Sequence, residues 1–325
     1  MTRDLPLLFA LRDDQGYAAR VARRLDCPLA AAEERDYEDG EHKCRPLESV
    51  DGRCVTVFAG LYGDAGRSVH DKLCRLLFFC GALKDAGTRH LQVVAPYLCY
   101  ARKERRTQPQ DPVISRYVAT LLEACRVDRL LTLEVHNQSA FDNAFRIPTQ
   151  HLECAGLFAE HFAGLLGDAE VAVVSPDTGG IKRAEQFRRA LERRLGRPVG
   201  EAYMAKHRDN DLVSGSRLIG TVHGKTAILI DDLINTGSTL LLAGRACHDD
   251  GATRIYAGAT HGLFTAGDEL LASQLFERIV VCDSVPPFRL DPALVGQRLE
   301  VLDTSALVAA QLAGEYGCEL RENAR

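Results

Sequence analysis

Ile228-Leu229-Ile230-Asp231-Asp232-Leu233-Ile234-Asn235-Thr236-Gly237-Ser238-Thr239-Leu240 is the stretch on which the fold turns. Residues 227–230 form a short apolar, β-leaning run, two adjacent carboxylates follow, then a Thr-Gly-Ser-Thr turn, and residues 240–247 have helix-like composition. That order predicts strand, loop and helix. A loop entering a helix gathers backbone N–H groups at one spot, where the helix dipole adds partial positive charge, so a phosphate is the natural occupant. Gly237 lets the backbone come close, and the hydroxyls of Thr236, Ser238 and Thr239 add donors. Asp231 and Asp232 fall at the carboxyl end of the strand, where open α/β sheets bind ligands; carboxylates there accept hydrogen bonds from sugar hydroxyls or hold Mg2+. Phosphate, diol and metal together point to a ribose phosphate. The same residues would also serve an ordinary strand-turn-helix connection whose acids solvate the turn.

A chain of 325 residues is expected to form about two domains, each with its own core. A net charge of −5 argues against a nucleic-acid binder, whose footprint is a basic excess. The 11 cysteines are scattered singly, odd in number and without a C-x-x-C pair, as expected of reduced thiols in a cytoplasmic protein. The N-terminus shows no apolar signal segment, and no apolar run approaches the ~20 residues of a membrane span. These features predict a soluble protein of small-molecule chemistry with no membrane partner.

Outward from the central stretch, strands alternate with helices. Residues 5–11 read as a strand and 15–25 as a helix; the acidic stretch 33–41 reads by composition as a solvated loop. Val50-Asp51-Gly52-Arg53 precedes a strand at 54–59, a glycine-rich loop, a helix at 69–84, then Gly87-Thr88-Arg89 and a strand at 91–95. Val222-His223-Gly224-Lys225 likewise precedes a strand at 226–230, the signature loop, a helix at 238–247, then Gly251-Ala252-Thr253-Arg254 and a strand at 255–259. The two halves read as copies of one βαβ unit, although only the second carries the acid pair. Between them lie helix 114–125, strand 130–135, helix 153–166, strand 171–175 and helix 180–195; strand 299–302 and helix 305–312 close the chain. The predicted class is α/β with largely parallel sheets. The expected domains are 1–148 and 149–300, with 301–325 packing back on the first.

Ser175-Pro176-Asp177-Thr178-Gly179-Gly180 ends an apolar strand and starts a helix, so it reads either as a second anion cradle or as a tight turn. Lys206 and Arg208 open a polar, helix-poor segment, 206–220, of mobile-loop composition; a Lys-x-Arg on a closing loop suits the spreading charge of a phosphoryl transition state, and equally an ordinary surface.

Together with Tyr37-Glu38-Asp39-Gly40-Glu41, the run from Pro96 through Arg102-Lys103-Glu104-Arg105, Glu134-Val135-His136 and Thr260-His261-Gly262, these motifs resemble the ribose-phosphate diphosphokinase family, the phosphoribosyl pyrophosphate (PRPP) synthetases. The resemblance runs from about residue 9 to residue 315. It implies two similar type I phosphoribosyltransferase-like domains, each a mainly parallel sheet flanked by helices. The implied reaction is Mg2+-dependent transfer of the diphosphoryl group of ATP to the 1-hydroxyl of ribose 5-phosphate, giving PRPP and AMP for nucleotide biosynthesis. Asp231, Asp232, Asn235, Thr236, Gly237, Ser238 and Thr239 would hold ribose 5-phosphate. Asp177, Thr178, Gly179 and Gly180 would face the diphosphate, and Lys206 and Arg208 would be catalytic. Tyr37, Asp39, Glu41, Arg102, Lys103, Glu104 and His136 would bind ATP. His136 and Asp177 would contact Mg2+. A homo-oligomer built from dimers, commonly a hexamer, would complete the ATP site from a neighbouring subunit.

The departures are Asn235 for Asp, Glu134 for Asp, Tyr37 for Phe, and Lys103-Glu104 where Gln and Asp are common. Residues 107–112 also lack the Ser-Arg pair of the family's allosteric members, so anionic effectors are expected to act weakly. Two other readings remain at this level: a phosphoribosyltransferase that consumes PRPP, and a non-catalytic regulatory paralogue.

Overall fold

Apolar strands alternating with amphipathic helices give each half of the chain a parallel sheet. The computed structural model describes residues 6–209 and 212–321, with the backbone alone for 206–209 and 212–216. Two units result: Met1–Leu152 with Asp303–Arg325, and Glu153–Leu302. All 11 cysteines are free.

The first unit runs β1 (Leu7–Ala10), α1 (Gln15–Arg24), β2 (Ala32–Asp36), β3 (His42–Pro46), β4 (Cys54–Phe58), α2 (Val69–Asp85), β5 (His90–Ala95), α3 (Ile114–Ala124), β6 (Arg129–Leu133), α4 (Gln138–Ala144) and β7 (Thr149–Leu152). Its sheet has the order β1-β4-β5-β6-β7, every pair parallel. The second unit runs α5 (Ala155–Leu166), β8 (Val171–Ser175), α6 (Ile181–Leu195), β9 (Gly200–Asp209), β10 (Leu212–Gly220), β11 (Thr226–Ile234), α7 (Ser238–Asp249), β12 (Arg254–Gly262), α8 (Glu269–Ala272), β13 (Arg278–Cys282), α9 (Pro292–Arg298) and β14 (Leu299–Leu302). Its sheet has the order β10-β9-β8-β11-β12-β13-β14, parallel except for β9 with β10. The last helix, α10 (Ser305–Tyr316), packs on α1 in the first unit. There Tyr17 Oη lies 2.9 Å from Thr304 Oγ1, and Arg129 pairs with Glu315 at 2.8 Å. In the second unit α5 packs on α6, with Phe162 edge-on to Phe187 at 5.8 Å.

The internal copy is visible bond by bond. Gly52 N–H donates to Gly87 O at 2.9 Å, and Gly224 N–H donates to Gly251 O at 3.0 Å. Arg89 N–H reaches Arg53 O at 2.9 Å, just as Thr253 N–H reaches Lys225 O at 2.8 Å. Gly87 has φ +91° and Gly251 φ +89°, the left-handed region that only glycine enters freely. Asp51 lies beneath the first glycine and His223 beneath the second. One corner, tying the entry of a strand to the exit of the next helix, thus occurs twice, and the expected α/β class with two similar parallel-sheet halves holds.

Three local expectations are corrected. The stretch 33–41 is not a solvated loop: β2 and β3 form an antiparallel ribbon. Its carboxylates are paired by arginines distant in sequence, Asp36 with Arg75 at 2.5 Å and Arg67 at 3.2 Å, while Ala32 and Cys44 pack on the core. Residues 206–209 and 212–220 are not a loop but strand, paired with each other as parts of β9 and β10, and β9 also pairs with β8 over Gly200–Tyr203. Strand β11 does not stop at Ile230 but runs to Ile234, since β12 pairs alongside that far and overrides the poor β-propensity of Asp231 and Asp232.

A methyl group at Gly251 would need a strained φ and would meet His223 Nδ1 at 2.6 Å, whereas nothing lies within 4 Å of one at Gly164, inside α5. Gly251→Ala should cost about 1–3 kcal/mol, and Gly164→Ala should gain roughly 0.5–1 kcal/mol. Urea midpoints at unchanged slope measure both; equal midpoints would remove the structural role of the corner.

Candidate active site

In the second unit the chain leaves β8 toward β9 on one side, while β11 and its successors lie on the other, so the strand order reverses between β8 and β11. Open α/β sheets bind ligands at such a reversal, beyond the carboxyl ends of the strands. β8 accompanies β11 only over Thr226–Leu229, whereas β12 stays with it to Ile234. Asp231 and Asp232 therefore stand where β11 has lost β8 as a neighbour.

Both acids are enclosed, Asp232 with 6% of its surface exposed. Asp232 N–H donates to Asp231 Oδ1 at 2.8 Å. Arg183 Nη1 lies 3.4 Å from Asp231 Oδ1 and 3.5 Å from Asp232 Oδ1. Burial, then the charge of Asp232, pushes the Asp231 carboxyl up from 3.8 to about 8, with Arg183 pulling the other way. One guanidinium faces the pair while Asp231 keeps its proton up to about 8, so the carboxyls suit hydroxyl donors and, once that proton leaves, a divalent cation.

The loop after β11 opens α7. Gly237, at its N-cap, has φ +84°, and a Cβ there would meet Leu270 Cβ at 2.9 Å. Asn235, Thr236, Ser238 and Thr239 are exposed. Thr236 Oγ1 lies 3.0 Å from Ser238 Oγ. Thr265 clamps Asn235 twice: its Oγ1 donates to Asn235 Oδ1 at 2.9 Å and its N–H to Asn235 O at 2.8 Å. The loop after β8 is closed by Asp177, whose Oδ1 accepts Gly180 N–H at 2.9 Å, and by Ser175 Oγ donating to Asp177 O at 2.7 Å. Asp177, Thr178 and Gly179 are exposed; Gly180 is buried, and a Cβ there would meet Ser175 Oγ at 2.9 Å. Arg183, three residues on, joins this loop to the Asp231–Asp232 pair. Lys206 and Arg208 lie on β9, paired with Ser216 and Val213, and their side chains fall outside the described residues.

In the first unit, Tyr37, Asp39 and Glu41 occupy the turn between β2 and β3. Glu41 N–H donates to Asp39 Oδ1 at 3.0 Å, and the Arg35 guanidinium lies 5.1 Å from the Tyr37 ring centre. His136 follows β6, with Nδ1 3.1 Å from Glu104 Oε1. Arg102 and Lys103 are exposed, whereas Glu104 turns inward. In the following turn the Asp111 carboxylate accepts Thr107 N–H, Thr107 Oγ1–H and Gln108 N–H at 3.1, 2.6 and 2.9 Å. Among the described residues no three His, Cys, Asp or Glu side chains cluster as a metal site, and no helix is long and apolar enough to cross a membrane.

Three family models match in succession: the N-terminal domain of ribose phosphate pyrophosphokinase over 7–125, a phosphoribosyl transferase domain over 142–264, and a phosphoribosyl synthetase-associated domain over 213–316. A putative ribose-phosphate pyrophosphokinase 2 of Streptococcus pneumoniae serotype 4 is 38% identical over 281 residues, 86% of this chain and 84% of that protein. The chain belongs to the ribose-phosphate pyrophosphokinase family. Ribose-phosphate pyrophosphokinase 1 of Streptococcus pyogenes serotype M1 is 36% identical over 285 residues, covering 86% of this chain and 85% of its own. The crystal structure of phosphoribosylpyrophosphate synthetase from Mycobacterium smegmatis superposes with a TM-score of 0.85 at 29% identity, covering 96% of this chain and 98% of that one.

For this family member, residue-type reasoning passed over Arg183 and Thr265. Arg183 did leave a signal, since a cation in the first turn of a helix opposes the dipole and calls for an anion nearby. Thr265 left none, because its partner is 30 residues away.

The Asp231 proton is held more tightly folded than unfolded. Its contribution to stability is therefore complete below its ordinary value of 3.8 and is lost as pH rises through about 8. The thermal midpoint of the ligand-free protein should fall more steeply between about pH 5 and about pH 8 than that of Asp231→Asn. Parallel curves in scanning calorimetry would contradict this.

Proposed function

We propose that this chain is a Mg2+-dependent ribose-phosphate diphosphokinase, moving the diphosphoryl group of ATP to the 1-hydroxyl of ribose 5-phosphate and releasing AMP. Its main support is the enclosed Asp231–Asp232 pair beside the Asn235–Thr239 loop at the strand reversal, in a chain of this family. Asp231 and Asp232 accept the ribose hydroxyls, and the backbone N–H groups around Gly237 with the hydroxyls of Thr236, Ser238 and Thr239 hold the 5-phosphate. The Asp177–Gly180 loop faces the diphosphate. Tyr37 stacks on adenine, with Asp39, Glu41, Arg102, Lys103 and His136 around the nucleotide. Lys206 and Arg208 supply the cations over the transition state.

Magnesium suits the donor set. The exposed Asp177 carboxylate is a hard oxygen ligand, and Mg2+ commonly takes one or two carboxylates with substrate phosphates and water, so no all-protein cage is needed. His136 is the less usual donor. Bound there, the ion would neutralise phosphate charge and orient the diphosphate. Assembly as a homo-oligomer and a cytoplasmic place belong to the same reading.

Incubation with ribose 5-phosphate and Mg-ATP should yield AMP and PRPP, and Lys206→Ala or Arg208→Ala should lower kcat on the order of 10²-fold while barely changing ribose 5-phosphate binding. No AMP from the wild type, or full kcat in both variants, would overturn the respective claims.

Asn235 keeps the hydrogen bond from Thr265 that an Asp would keep, and stands at the phosphate end rather than at the anomeric hydroxyl. Asn235→Asp should therefore change kcat/KM for ribose 5-phosphate by no more than roughly tenfold, about 1.4 kcal/mol. Activity appearing only in the Asp variant would favour the non-catalytic paralogue.

A further inference from the structure

Glu104 is the ATP-side residue whose placement departs most from a direct role. Its side chain is 6% exposed, in a recess lined by Leu98, Cys99, Val118, Phe141 and Phe145. A carboxylate in such surroundings is costly unless a partner compensates it. The partner is His136: Nδ1 lies 3.1 Å from Glu104 Oε1, whereas Oε2 is buried with no hydrogen-bond partner among the described residues. Tyr100, four residues before Glu104, has φ +59° and Glu134, two before His136, has φ +25°. Left-handed backbone at non-glycine residues persists only where the surroundings enforce it.

We infer that Glu104 is a positioning residue that holds His136 with its hydrogen on Nδ1 and presents the Nε2 edge, lone pair outward, to the nucleotide side of the site. A carboxylate can only accept, so the ring nitrogen facing it must donate, and in a neutral imidazole the other nitrogen is then the acceptor. Carboxylate–imidazole pairs of this kind orient metal-ligating histidines, and losing the carboxylate typically costs 10- to 100-fold in metal affinity or activity. The His136 ring, 34% exposed, spans from the buried carboxylate to the surface. The ATP side of this inference rests on the function proposed above; the pairing itself does not.

The test reads the tautomer directly. In protein labelled with nitrogen-15 at histidine, long-range proton–nitrogen correlation should show His136 with its hydrogen on Nδ1, identified by loss of the signal in His136→Asn. Glu104→Leu, which suits the apolar recess, should move the hydrogen to Nε2, the form free imidazole prefers. Glu104→Gln should retain the Nδ1–H form, because its amide oxygen still accepts. In steady-state assays Glu104→Leu should raise KM for Mg-ATP on the order of tenfold or more and leave KM for ribose 5-phosphate unchanged, with Glu104→Gln between it and wild type. A wild-type His136 with its hydrogen on Nε2, or a tautomer indifferent to Glu104→Leu, overturns the inference. A tautomer that moves while KM for Mg-ATP does not keeps the pairing and removes His136 from the ATP side.

Discussion

Two consecutive carboxylates on a buried strand repel each other and lose their water, and the fold holds them by keeping a proton on one and bringing a cation to both. Arg183 is that cation. Its position constrains much around it: α6 must begin close enough to β11 for its first turn to reach the acids, which requires the loop after β8 to be tight. Gly180, with no room for a Cβ against Ser175, is the residue that permits this. The open edge of β11 past Leu229 then lies beside the guanidinium rather than beneath another strand.

The first unit shows the same framework put to a different use. Aligned on the shared corner, Ala59 and Gly60 occupy the places of Asp231 and Asp232. Gly60 N–H there is taken by the buried Asp14 carboxylate at 2.7 Å, whose burial pushes it up to about 6. In the loop that follows, Asp64 accepts the N–H groups of Gly66 and Arg67, each at 2.8 Å, and pairs with Lys72 at 2.6 Å. In the first unit these backbone donors are taken by its own carboxylates.

Legibility followed the range of the interaction. Strands such as β8 and helices such as α2 could be read because burial and capping leave a periodic local trace. The βαβ repeat could be read because a glycine corner needs particular residues. The β2–β3 ribbon could not, since what makes strands of Glu33 and Asp36 is arginines on β3 and α2. The end of β11 was misjudged because a neighbouring strand, not propensity, sets it. At the site, residue types named the candidates, but the inward turn of Glu104 and the clamp on Asn235 depend on contacts 32 and 30 residues distant.

The last helix returns to the first unit. α5 follows β7 of the first unit but packs on α6 in the second; α10 follows β14 of the second but packs on α1 in the first. The first unit is therefore not a contiguous stretch of chain, whereas the second, Glu153–Leu302, is. During synthesis α1 waits, through about 280 residues of further chain, for α10 to pack on it. A nascent first half is an unfinished body, open to chaperones and proteases until α10 has been made.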